Sequence, residues 1–234
     1  MEPSASAQSA ARPVSGRRGP EEQKTSPMGI AREGWPYILA LAGAGALLWA
    51  LHWHVSGASL AGLGLFCAFF FRDPEREIPE AAGLVLSPAD GRVVDVSIPA
   101  ESPLGPGATK VSIFLSIFDV HVNRAPIAGR VERVEYHPGE FLPAFDQRAS
   151  LRNEQNSVVL SEGTTRVAFK QIAGLIARRI VFRKRVDDRV SRGERVGMIK
   201  FGSRVDVFLP VGSLLRVARG DRVRGGSSVI GELR

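Results

Sequence analysis

Val196-Gly197-Met198-Ile199-Lys200-Phe201-Gly202-Ser203-Arg204-Val205-Asp206-Val207 sets a Gly-Ser pair between two runs of strand character. The runs on either side are rich in β-branched residues, which favour strands. By itself a Gly-Ser pair between strands reads as a turn. Upstream, further Val- and Ile-rich runs are bounded by Gly, Pro and Asp: Gly91 to Ile98, Lys110 to Ile117, Gly129 to Tyr136, Ser157 to Leu160 and Arg166 to Ile172, with Arg204 to Leu209 closing the series. Their length, β-branched content and turn punctuation predict strands. The stretch from Gln171 to Val181 reads equally as strand or helix.

Two weak repeats lie within this region. Pro88-Ala89-Asp90-Gly91-Arg92-Val93 recurs as Pro126-Ile127-Ala128-Gly129-Arg130-Val131, and Val190-Ser191-Arg192-Gly193-Glu194-Arg195-Val196 recurs as Val217-Ala218-Arg219-Gly220-Asp221-Arg222-Val223. Each glycine beside an acidic or turn-forming residue suits a turn into a strand. Paired hairpins of this sort build barrel-sandwich folds of the lipoyl and biotinyl type, and recurrent turn chemistry without duplication accounts for them equally well. The expected fold is mostly β, a β-rich α+β domain over residues 72–234.

Before this domain the pattern changes. Pro36 to Leu51 and Gly57 to Phe71 are apolar, with His52-Trp53-His54 between them. We read residues 35–71 as a membrane helical hairpin. Each arm is short against the ~20 apolar residues a span requires, so two spans and a shallow re-entrant dip both stay open. Arg17, Arg18, Lys24 and Arg32 precede the hairpin and Arg72 and Arg76 follow it, which by the positive-inside rule sets both ends on the cytoplasmic face of the cell membrane. Residues 1–34, rich in Ser, Pro, Ala, Arg and Glu, have the composition of a disordered tail and lack a secretory signal.

The chain has 234 residues and a net charge of +7, which favours anionic partners. All three Trp lie in or beside the apolar block and away from the basic residues, which argues against nucleic acid. The basic run from Arg178 to Arg185 then reads as a face toward anionic lipid. One cysteine, Cys67, excludes an internal disulfide, and His52, His54, His121 and His137 are too scattered for a zinc site, so no metal is expected.

Between Phe69 and the C-terminus stand, in this order, Phe70-Phe71-Arg72-Asp73-Pro74-Glu75-Arg76, Ser87-Pro88-Ala89-Asp90-Gly91, Val120-His121-Val122-Asn123-Arg124-Ala125-Pro126, Tyr136-His137-Pro138-Gly139, Asn153-Glu154-Gln155-Asn156, Gln171-Ile172-Ala173-Gly174 and the Gly202-Ser203 segment. Through these motifs the chain resembles the short, prokaryotic form of phosphatidylserine decarboxylase over that whole length. The resemblance implies a proenzyme that cuts itself between Gly202 and Ser203 into a large chain, 1–202, and a small chain, 203–234. Ser203 would become a covalent pyruvoyl group that forms a Schiff base with the serine amine of the lipid, making phosphatidylethanolamine without a dissociable cofactor. Asp90 and His121, then His137, are the candidates for preparing the Ser203 hydroxyl.

The chain departs from the long form of that family, which carries a second histidine three residues after the first and Leu-Gly-Ser-Thr at the cut. Arg124 and Phe201-Gly202-Ser203-Arg204 stand there instead. Two other readings are kept: a non-catalytic membrane adaptor on a lipoyl-like fold, and a pyruvoyl decarboxylase of a different serine lipid. A carrier role would require a lysine at a hairpin tip, and the neighbours of Lys200 do not suit it. The number of associating protomers, including a homo-oligomer, is left open.

Overall fold

Residues 28–144, 146, 148–175, 179–200 and 202–234 are described by the computed structural model. Residues 1–27 of the expected tail, with Arg17, Arg18 and Lys24, lie outside them, as do Arg178 and Phe201. Two helices open the described chain, α1 (Trp35–Ala50) and α2 (His54–Phe70). The strands follow: β1 (Leu84–Leu86), β2 (Gly91–Ser97), β3 (Thr109–Leu115), β4 (Val122–Arg124), β5 (Gly129–His137), β6 (Gln155–Glu162) and β7 (Thr165–Ala173). A single-turn helix, α3 (Ala149–Arg152), lies between β5 and β6. Then come β8 (Ile180–Phe182), β9 (Arg189–Val190), β10 (Arg195–Ile199), β11 (Ser203–Leu209), β12 (Leu214–Leu215), β13 (Arg222–Val223) and β14 (Val229–Glu232).

The domain after α2 is mostly β, as the Val- and Ile-rich runs predict. Its main sheet runs β13-β2-β3-β11-β7-β6-β5-β9, and two three-stranded sheets, β1-β14-β12 and β4-β10-β8, complete it. The six expected strands are all present with ends shifted by a few residues. Of the ambiguous Gln171 to Val181 stretch, the described residues place Gln171 to Ala173 at the end of β7 and Ile180 and Val181 in β8.

Directly opposed residues in a ladder share a face. Ser203 lies opposite Leu115 and Ala173, and Val205 opposite Ile113 and Gln171. With Val207, Phe169, Val158 and Leu160 these side chains form the central core. The other face of β11 is also covered: the Arg204 guanidinium, 1% exposed, donates to Asp206 at 2.7 Å and to Ser112 Oγ at 2.7 Å. Asp206 also accepts the Ser150 hydroxyl at 2.8 Å. The strand that begins at Ser203 is therefore held on both faces.

The repeats have matching geometry. β2 and β5 each shift register just after their repeat, between Val93 and Asp95 and between Val131 and Arg133. In the second pair, Glu194 accepts the Ser191 N–H at 2.7 Å and Asp221 accepts the Ala218 N–H at 2.8 Å. An acidic side chain closing its own turn is what the Gly-acid spacing favours.

The helical hairpin carries its apolar residues outward: Leu39, Leu47, Trp49, Trp53, Val55, Leu63 and Leu65 are all exposed. At 16 residues α1 is about 24 Å long, less than the ~30 Å of a bilayer core. No helix among the described residues is long and apolar enough to cross a membrane. Residues 28–34, assigned to the tail by composition, are tied to the hairpin's base, with Ala31 N–H donating to Phe71 O at 2.8 Å and Asp73 N–H to Gly29 O at 2.7 Å. Phe70 and Phe71, fully buried, pack with Ala31, Cys67, Val120, Val122 and Met198. The hairpin is thereby seated on the segments that lead into β4 and β11.

Candidate active site

Gly202 has φ +55°, a left-handed conformation that glycine adopts without the cost a side chain would add. Ser203 follows as the first residue of β11, fully buried, and its Oγ has no hydrogen-bond partner among the described residues. A buried hydroxyl is ordinarily paired, so an unpaired one marks a group kept for something else. The carbonyl of Gly202 points at Gly174: a Cβ at that position would lie 2.1 Å from the Gly202 oxygen. Only a residue without a side chain fits against that carbonyl.

His121 reaches the same region through β10, whose Ile199 N–H donates to His121 O at 3.4 Å. The loop leading to it starts at Leu115, opposite Ser203, and is turned by Asp119, whose carboxylate accepts from Ser116 N–H at 2.8 Å and from its hydroxyl at 2.7 Å. The His121 ring is fully buried, and its Nδ1 lies 2.9 Å from the carbonyl of Asp119. A carbonyl only accepts, so this contact assigns the proton to Nδ1 and leaves a lone pair on Nε2. Nε2 is buried without a partner. Burial lowers the His121 pKa to about 4, against the Asp119 carbonyl and charge, which favour the imidazolium. At neutral pH the ring is an uncharged base.

Asp90 sits in the turn before β2. Its Oδ1 accepts the Gly225 N–H at 2.8 Å and its Oδ2 pairs with Arg76 at 2.8 Å. Burial nevertheless raises its pKa, with Gly225 and Arg76 opposing. Asp90 makes no hydrogen bond to the His121 ring nitrogens: its two oxygens are taken by Gly225 and Arg76.

Arg124, at the position where the long form has its second histidine, is buried and committed elsewhere. Its guanidinium donates to Asp73 at 3.1 Å, Pro74 O at 3.0 Å and Gly193 O at 3.1 Å, and burial lowers its pKa to about 10. His137 is not brought to Ser203. It is exposed, three strands away across β7 and β6, in the row Gln155, Ile172, Arg204 that lies on the opposite face from the Ser203 side chain.

Residues 63–231 match the model of the phosphatidylserine decarboxylase family. The chain belongs to this family. Relatives bearing the name phosphatidylserine decarboxylase proenzyme occur in Symbiobacterium thermophilum, 52% identical over 87% of this chain and 95% of the relative, and in Solibacter usitatus, 51% identical over 87% and 96%. A third, from Burkholderia pseudomallei, is 48% identical over 87% and 95%. As a member of the phosphatidylserine decarboxylase family the chain is an enzyme of the carboxy-lyase class, and the word proenzyme in its relatives' names suits a buried serine after a left-handed glycine.

Sequence reasoning missed several contributors to this site. Asp119 acts through a backbone carbonyl, which any residue type supplies. Phe70, whose ring centroid is 4.2 Å from that of His121, stands in sequence within a shared motif, with nothing to show that it covers a histidine. Arg72 and Arg76 read in sequence as basic residues flanking the hairpin and as part of a shared motif, with no place in the site.

Proposed function

We propose that this protein removes carbon dioxide from phosphatidylserine to leave phosphatidylethanolamine, using a pyruvoyl group made from Ser203 when the Gly202-Ser203 bond is cut. The observation that carries this reading is Ser203 itself, a buried hydroxyl without a partner directly after Gly202 in the left-handed region.

The chemistry suits the residues. The Ser203 hydroxyl attacks the Gly202 carbonyl carbon, its proton passing to the lone pair of His121 Nε2, and an ester replaces the peptide bond. Loss of the Ser203 Cα proton then expels the Gly202 carboxylate. Water converts the resulting dehydroalanine to a ketone and ammonia, leaving chains 1–202 and 203–234. Asp90, buried and held by Arg76 and Gly225, supports the charge that develops on this base. The fit of the group is good: Ser203 is fully buried between Leu115 and Ala173, and the fork of Arg204 under the opposite face of β11 keeps the new terminus in place. Once formed, the group supplies a carbonyl that accepts the electron pair released as carbon dioxide leaves.

The same reading sets the hairpin of residues 35–71 into the cytoplasmic face of the cell membrane as a shallow insertion, because exposed tryptophans and leucines cover helices shorter than a span.

Intact-mass measurement tests the proposal. Native protein should give two chains with a ketone at position 203, while Ser203→Ala should stay one chain and lack decarboxylase activity. Native protein that is uncut yet active on phosphatidylserine would refute the pyruvoyl route.

A further inference from the structure

Asn156, Gln171 and Asn123 form a line of three buried carboxamides, 4%, 0% and 0% exposed. Asn156 Nδ2 donates to Gln171 Oε1 at 3.1 Å, and Gln171 Nε2 donates to Asn123 Oδ1 at 2.8 Å. An amide oxygen only accepts and an amide nitrogen only donates, and Gln171 Nε2 also donates to the backbone carbonyl of Val181 at 3.4 Å, which gives the relay its direction. Turning Asn123 over would set its nitrogen against the Gln171 nitrogen. The relay therefore ends on the N–H2 of Asn123, which is buried and has no partner among the described residues. Leaving such a donor unmade costs more than a typical hydrogen bond contributes, so its retention asks for an acceptor that arrives.

The register says where that acceptor arrives. Gln171 sits two residues from Ala173, the residue opposite Ser203, and on the same face, which sets its Cβ about 7–8 Å from that of Ser203. Gly197, opposite Asn123, lets the β8 backbone and Gln171 pack closely beside it: a Cβ there would lie 3.1 Å from Gln171 Nε2 and 2.1 Å from Val181 O. The Gly202 carbonyl is turned instead toward Gly174. Through its hydrogen bond with Gln171, Asn123 is joined to the side-chain face of residue 203, where the lipid's amine must come.

Resting on the decarboxylase reading, we propose that Asn123 is a substrate-binding residue whose N–H2 donates to the carboxylate of the serine head group, with Gln171 as its positioning residue. The carboxylate is carried on the same carbon as the amine, so it is the head-group acceptor nearest to residue 203. A neutral amide suits this task better than a cation. It fixes the direction of the bond to be broken without strongly stabilising the charge that the reaction must disperse.

The test uses the native, cut enzyme and short-chain phosphatidylserine in detergent micelles. Asn123→Asp keeps the acceptor for Gln171 and removes the donor, and Asn123→Ala removes both without adding charge. Both variants should still cut at Gly202-Ser203, with kcat/KM falling about 10- to 100-fold, chiefly through KM. Inhibition by phosphatidylethanolamine, which lacks the carboxylate, should be unchanged, a result that general damage to the pocket would not give. Gln171→Met, similar in volume, should raise KM in the same direction and carries the test if the Asn123 variants fail to fold. Variants with native KM and kcat, or with equal losses of phosphatidylserine and phosphatidylethanolamine affinity, overturn the assignment. So does a folded Asn123→Ala chain that stays uncut, which would move the residue to self-cleavage. An uncut, inactive native protein would instead sink the decarboxylase reading beneath it.

Discussion

The ring of Phe70, the last residue of α2, covers the imidazole of His121 at 4.2 Å between centroids. The hairpin and the proposed base are therefore one packed unit. Phe70→Ala should destabilise the fold by about 3–5 kcal/mol and let water reach His121, moving its pKa back toward the ordinary range. The acid limb of the self-cleavage profile would then rise in pH, read from gel time courses of freshly translated chain. Deleting residues 1–71 should release the protein from anionic vesicles in flotation and also slow cutting, because Phe70 leaves with the anchor. Cutting at the native rate after that deletion would show that the cover is dispensable.

Stability should depend on acid through His121. Its folded pKa, about 4, lies below the ordinary 6.5, so between these values the unfolded chain binds a proton that the folded chain refuses. The contribution is whole above about pH 6.5 and is lost as pH falls through about 4, amounting to roughly 3 kcal/mol. Urea titrations of uncut Ser203→Ala at neutral and acid pH measure it. A His121→Gln version should lose that portion of the pH dependence.

Gly174→Ala puts a methyl 2.1 Å from the oxygen of the bond to be cut. The Gly202 carbonyl must turn away, and with it the carbon that Ser203 has to reach. Uncut chain should accumulate, with cleavage slowed 10²-fold or more, as a misplacement of about 1 Å can do. Comparing denaturation of Ser203→Ala with and without Gly174→Ala separates this from simple loss of fold.

Asp90→Asn keeps the shape that accepts the Gly225 N–H and removes the charge facing Arg76. We expect cleavage to slow about 10²-fold, the scale on which an ill-supported base loses effect. Arg76→Met should slow it in the same direction by leaving the buried carboxyl without its cation. If Asp90→Asn cuts normally and fails only in decarboxylation, its role belongs to the lipid reaction.

Much of this protein was legible from its residues alone. Runs of β-branched residues, turn glycines and an apolar block are local signals, and they determined a β-rich domain behind a helical hairpin. The Gly202-Ser203 pair, Asp90 and His121 stand out as candidates through motifs spaced along the chain, because the proposed chemistry demands particular residue types. What spacing along a chain does not carry is which face a side chain takes once strands pair. That is why His137, in as good a motif as His121, lies exposed with the row of Arg204, and why Arg124 is spent on Asp73. Tertiary structure alone supplied the Phe70 cover, the Asp119 carbonyl that sets the His121 tautomer, and the Asn156-Gln171-Asn123 relay. Each joins residues far apart in sequence through packing or backbone atoms, and a backbone carbonyl or an apolar ring acquires its meaning only from what the fold sets beside it.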